Sequence, residues 1–154
     1  MDHVAITVDT STLKRTGSGA VTGEIYWRVG ASAFPGVEWT DFPVRIVAWW
    51  IVALETLSLA GGECELDFMD GPYSILVEAT TSRDVVRLKF HDHDVVDVNY
   101  PTISLSELTG EVGRVAGVLL NYCNNKRWIS AEIADLEQAV IRLRNFTGIG
   151  GHDT

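Results

Sequence analysis

Basic side chains are scarce in this chain. Lys and Arg number 12 against 21 Asp and Glu, leaving a net charge of −9 and a pI near 4.7. Without a basic field to neutralise phosphates, nucleic acid is excluded as a direct ligand. Cysteine is scarcer still, with only Cys64 and Cys123. Two thiols cannot build a disulfide framework, and both fall on expected apolar faces, so they read as reduced core residues of a cytosolic protein. Long apolar runs are also missing. The longest, residues 46–54, is bounded by Arg45 and Glu55 and falls well short of the ~20 residues a membrane span needs. The opening Met-Asp-His-Val has neither the basic nor the apolar region of an export signal, so a cytoplasmic location is expected, with no membrane partner. G-x-S-x-G, a P-loop, a dinucleotide fingerprint and H-E-x-x-H are all absent, and no cofactor is expected.

What is present suits one folded domain. Apolar residues make up 46% of 154 positions and include five tryptophans, enough for a core without a metal or disulfide staple. Residues 1–147 read as a single α+β domain and 148–154 as a flexible tail. The acidic excess is uneven: residues 1–100 hold 15 acidic and 7 basic side chains, residues 101–154 hold 6 and 5.

Period-two alternation predicts strands at 3–8, with Val4, Ile6 and Val8 on one side, and at 20–29, with Val21, Ile25, Trp27 and Val29 inward. The polar stretch 9–19 reads as a flexible connection between them. Thr40 or Asp41 is placed to cap a helix with Pro43 in its first turn. That helix runs to Ala60, stops at Gly61-Gly62 and, being apolar nearly all round, should be buried on most sides, Trp49 and Trp50 included. Three more strands follow as a meander. A loop at 69–72 sets Phe68 opposite Tyr73, Leu66 opposite Ile75 and Cys64 opposite Val77. The next turn sets Val77 opposite Leu88, Ile75 opposite Phe90 and Glu78 opposite Arg87, an opposite-charge pair. Ser104 and Glu107 form a capping box, and a helix follows with Leu105, Leu108, Val112, Val115, Leu119 and Tyr122 on one face. Gly113 and Gly117, four apart on it, allow another element to approach closely. A last helix starts after Ser130. The expected fold is α+β, in the order β-β-α-β-β-β-α-α, a five-stranded antiparallel sheet packed on one face by the long helix and the two C-terminal helices.

Three groups of residues invite a functional reading. The meander turns Glu63, Glu65, Asp67 and Glu78 outward, with Asp70 in the loop and Trp39 and Tyr73 as neighbouring apolar anchors. Paired catalytic carboxylates would need one acid shifted by burial and a cleft around it; no cleft-forming loop is evident, so the set reads as a solvated or partner-binding face, solvation being the plainer account. His91 and His93 alternate on a strand and could share a metal ion. The register, however, sets His91 opposite Ser74 and Ser74 opposite Asp67, two strand spacings or roughly 9–10 Å away, too far for one ion, and a polar strand end explains the histidines equally well. Trp49 and Trp50 suggest an aromatic platform, but helical spacing in an apolar segment favours a core role.

The run Phe34-Pro, Trp39-Thr-Asp-Phe, Trp49-Trp50 and Phe68-Met-Asp-Gly-Pro-Tyr73 resembles a pattern in small bacterial proteins of the immunity type, which accompany polymorphic or contact-dependent toxins. It covers residues 34–73. The resemblance implies a non-catalytic inhibitor that binds a cognate toxin and blocks its active site or a surface it needs, with a basic toxin domain as the expected partner. The alternative is a metal-binding protein or metal-dependent enzyme using His91 and His93.

Overall fold

The structure, a computed structural model, describes residues 3–82, 84–92 and 101–152, with 147–152 described through the backbone only. The elements are β1 (Val4–Arg15), β2 (Val21–Val29), β3 (Ser32–Phe34), β4 (Thr40–Asp41), α1 (Pro43–Ala60), β5 (Glu63–Asp67), β6 (Ser74–Ala79), β7 (Val85–His91), β8 (Thr102–Ser104), α2 (Leu105–Asn125) and α3 (Ala131–His152). The α+β class holds, but the single five-stranded sheet does not. The strands form two four-stranded antiparallel sheets: β1-β2-β3 with β4 also on β2, and β5-β6-β7-β8. The reason lies at the second edge of β2. Phe34 pairs there with Trp27 and Asp41 with Gly23, so β2 is paired on both sides, and the later meander builds its own sheet.

The stretch expected as a loop after Val8 is largely strand. The register of β1 on β2 shifts between Asp9 and Lys14, and side chains replace the missing ladder bonds. Asp9 accepts from the Ser11 amide, the Thr12 hydroxyl donates to the Asp9 carbonyl, and the Glu24 amide donates back to that hydroxyl. The irregularity is a bulge built from polar residues, and Leu13 beyond it is buried.

The meander register is as the alternation predicts: Cys64 pairs with Val77, Leu66 with Ile75, Ile75 with Phe90, Val77 with Leu88 and Glu78 with Arg87. The Phe68 amide donates to the Tyr73 carbonyl and closes the hairpin. Ser104 caps α2 by accepting from the Glu107 amide, while the Glu107 carboxylate takes the serine hydroxyl and does not reach back to the backbone. Neither Thr40 nor Asp41 caps α1; its N-cap is Phe42, with no side-chain bond.

Helix α1 sits among both sheets and both other helices. Its length and composition would suffice to cross a membrane, yet half of it is buried within the fold, as in a core helix. Its burial is not all round: Trp50 is fully buried, whereas Trp49 and Val52 are exposed. Trp50 bridges the two sheets. Its ring meets Trp27 at 5.5 Å and Phe68 at 5.3 Å, and Phe34 of β3 meets Phe68 at 5.8 Å and Phe90 at 5.0 Å, all in tilted or edge-on contacts. A buried and a half-buried glutamate tie the C-terminal helices to the first sheet. Glu132 of α3 accepts from the Val21 amide at 2.8 Å. On α2, Glu111 accepts from the Ile6 amide and Arg114 donates to the Ile6 carbonyl, both at 2.7 Å, so one ion pair satisfies both polar groups of an edge residue. Leu143 of α3 packs against Gly113, where an added Cβ would lie 3.0 Å from it; among the described residues nothing lies within 4 Å of a Cβ added at Gly117. Helix α3 continues to His152, into the stretch expected as a tail.

Candidate functional site: an acidic hairpin face

Strand β5 is the first strand of its sheet. Its pleat sends Leu66 into the core and Glu63, Glu65 and Asp67 to solvent, a row of three carboxylates over about 13 Å. Across the hairpin, Glu63 faces Glu78, Glu65 faces Leu76 and Asp67 faces Ser74. No cation stands opposite β5. A like-charge pair directly across two strands is destabilising, and the strand keeps one at Glu63 and Glu78. Burial, and then the neighbouring Glu65, hold the Asp67 carboxyl above its usual range. Ser74 donates to Glu65 at 3.1 Å.

The cations lie one strand further in. Glu78 is half-buried and forms its ion pair with Lys89 at 3.1 Å, diagonally, and not with Arg87 directly opposite it. Glu78 is thus partly neutralised, while Glu63, Glu65, Asp67 and Asp70 are exposed.

At the loop end of the hairpin the chain is held by a residue read as a helix cap. Asp41 is 1% exposed. Its carboxylate accepts from the Trp39 indole at 2.9 Å, the Phe42 amide at 2.8 Å and the Met69 and Asp70 amides at 3.1 Å. The bond to Trp39 orients the indole edge-on to Tyr73 at 4.9 Å, and Tyr73 meets Phe34 at 5.7 Å. Gly71 fits under this pair at φ 82°; a Cβ there would lie 2.9 Å from the Tyr73 ring. Tyr73 and Phe34, with Phe90, Pro35 and Asp92, line a cavity of about 380 Å³. Trp39 and Tyr73 are therefore half-buried and held in place by Asp41 and by each other. Met69 and Val37, exposed by 47% and 59%, add apolar surface in the same two loops; sequence reading did not mark them, because an isolated apolar residue in a loop carries no periodic signal.

The remaining candidates are not gathered with this face. His91 lies across from Ser74, which lies across from Asp67; its Nε2 is buried and has no hydrogen-bond partner among the described residues. His93 falls outside the described residues, and among those described no group of three His, Cys, Asp or Glu side chains is placed to hold a metal ion. Cys123 is buried and Cys64 half-buried. Burial pushes the Cys64 thiol up to about 11, so it is a poor nucleophile at neutral pH. Set against known protein families, curated proteins and solved structures, the chain matches none of them.

Proposed function

We propose that this protein is a non-catalytic binding protein that meets a basic protein partner through the hairpin face of β5 and β6. One observation carries the reading: Glu63, Glu65 and Asp67 stand in a row with no cation opposite, and Glu63 keeps a like charge across the strand. A face that served only solubility would gain from a lysine at 76 or 78; one that steers a cationic partner is better without it. The Trp39–Tyr73 pair, held by Asp41, supplies the rigid aromatic anchor that interfaces commonly use. The resemblance of residues 34–73 to immunity-type proteins gives the reading its biological form. It is that of a cytoplasmic inhibitor that neutralises a cognate toxin, acting without cofactor and without nucleic acid or membrane. The cavities lined by Arg45 and Trp49, by Phe34 and Tyr73, and by Ser104 and Leu143 lie away from Glu63, Glu65 and Asp67.

The test is co-expression with the product of the neighbouring gene in its source genome. Relief of that product's toxicity by the wild type, lost in a folded Glu65→Ser/Asp67→Ser variant, is the expected result. Full relief by the variant would dismiss this face. A second reading, metal binding through His91 and His93, draws on the buried His91 Nε2, which has no hydrogen-bond partner among the described residues. Stoichiometric metal in untagged protein, lost in His91→Ala, would favour it; metal-free folded protein would end it.

A further inference from the structure

Where Phe34 of the first sheet reaches Tyr73 and Phe90 of the second, a cavity of about 380 Å³ opens toward solvent. Both sheets wall it: Val29, Ser32 and Phe34 come from the β2–β3 hairpin, Tyr73 from just before β6, and Phe90 and Asp92 from the end of β7. The aromatic walls do not stack. Phe34 stands at 85° to Tyr73 with ring centroids 5.7 Å apart, and at 57° to Phe90 at 5.0 Å. Rings at such angles do not cover one another face to face and so form a corner. Phe90 is buried and Phe34 and Tyr73 are half-buried, with Tyr73 fixed from behind by Trp39 at 4.9 Å.

The charge in this corner is of one sign. The described residues that line it include the carboxylate of Asp92 and no Lys, Arg or His. Two cations on the flanking strands are engaged elsewhere: Arg28, across from Ala33, lies over the Tyr26 ring at 5.5 Å, and Lys89 pairs with Glu78. None of the ion pairs among the described residues uses Asp92. Rings alone would suit an apolar ligand, but covering this carboxylate with one would remove its water and put nothing in its place. A cation satisfies both kinds of wall, being drawn to the negative faces of the rings and to the carboxylate.

We propose that this cavity binds an organic cation, an alkylammonium or guanidinium group, packed against Phe34, Tyr73 and Phe90 with its charge toward Asp92. The volume lies at the low end for small-ligand sites, which run from about 300 Å³ upward, and suits a single headgroup or side-chain end. The walls are already in contact before any ligand arrives, so little ordering opposes binding. The cavity shares Tyr73 with the hairpin anchor, but a free cation needs no protein partner, so this site and the function proposed for the hairpin stand or fall separately.

The test is a titration of the full chain in phosphate buffer, at ionic strength held constant with sodium chloride, followed by amide chemical shifts. Choline chloride should give saturable shifts centred on Phe34, Tyr73, Phe90 and Asp92, with a Kd on the order of 1–10 mM. Its neutral isostere, with carbon in place of the quaternary nitrogen, should bind about tenfold more weakly or less. N-acetylarginine methylamide forms a second arm: tighter binding than choline's assigns the cavity to an arginine presented by a protein, and weaker binding to a free quaternary ammonium compound. Tyr73→Leu and Asp92→Asn should each weaken the preferred cation about tenfold, and Asp92→Asn should leave the isostere unaffected. Should Tyr73→Leu fail to fold, Asp92→Asn decides alone. Shifts that do not saturate for either cation or centre elsewhere, an isostere that binds as well as choline, or a folded Asp92→Asn with wild-type affinity would each overturn the proposal.

Discussion

Asp41 is the residue on which the geometry of the hairpin tip depends, and removing its charge should cost more than any surface change nearby. Its carboxylate is 1% exposed and takes four donors, two of them backbone amides 28 and 29 residues further along the chain. A hydrogen bond to a charged group contributes about 1.5–3 kcal/mol. Met69 and Asp70 are exposed, so their amides can turn to water in a variant. The Trp39 indole and the Phe42 amide have less access to it. Counting those two in full and the others lightly, Asp41→Ala should lose about 3–5 kcal/mol. For a domain of this size that lowers the melting temperature by roughly 8–15 °C. Asp41→Asn is the sharper perturbation, because it keeps the shape. Each carboxylate oxygen holds two donors, so whichever one becomes the amide nitrogen faces two N–H groups, and about 2–3 kcal/mol should be lost. Urea and thermal denaturation followed by circular dichroism measure both, and amide exchange at Met69 and Asp70 should accelerate ahead of the core. An Asn variant within about 0.5 kcal/mol of the wild type would refute the reasoning, since a neutral acceptor would then serve as well.

The remaining expectations concern ionisation. Glu111 titrates below the ordinary 4.5 of a glutamate, chiefly through its hydrogen bond from Arg114 and also that from the Ile6 amide, against the opposing effect of burial. A depressed acid stabilises the fold above its unfolded pKa and loses that contribution as pH falls through the folded value. Glu111→Gln should therefore melt below the wild type at pH 7, and the gap should close below about pH 4.5; a gap constant from pH 7 to pH 3 would contradict this. Burial raises both thiols, with Glu132 adding to the effect at Cys123. Iodoacetamide at pH 8 should thus modify native protein far more slowly than unfolded protein, and the pH–rate curve of Cys64 should rise toward about 11.

The sheet that carries the acidic face was legible because three strands alternate cleanly between turns, and one register sets every apolar residue against another apolar residue. Leu66 with Ile75 and Val77 with Leu88 then follow from counting. The first sheet was less legible for local reasons. Beyond Asp9 the ladder of β1 is continued by hydroxyls, which read as loop chemistry, and β3 and β4 hold three and two residues, too few to show a period. Those two short strands occupy the second side of β2, beside which the meander forms a separate sheet. Asp41 precedes Pro43 and looks like a cap; its actual partners at Met69 and Asp70 are brought near only by the tertiary fold. Trp49 reads as core from its neighbours, yet small residues at 48 and 139 leave it half uncovered, a consequence of how α3 packs. In the acidic set, exposure at Glu63, Glu65 and Asp67 followed from the pleat. The diagonal reach of Lys89 to Glu78 did not, because register names opposites and long side chains also reach their diagonal neighbours.

The central claim is that the β5 row exists to meet a cationic partner, and association kinetics test it most directly. With a confirmed partner in hand, Glu65→Ser/Asp67→Ser should fold and melt close to the wild type, because both side chains are exposed. Its on-rate at low salt should fall about tenfold, and that difference should shrink as salt screens the wild type. An on-rate and affinity equal to the wild type at low salt would show that Glu63, Glu65 and Asp67 are solvated surface and nothing more.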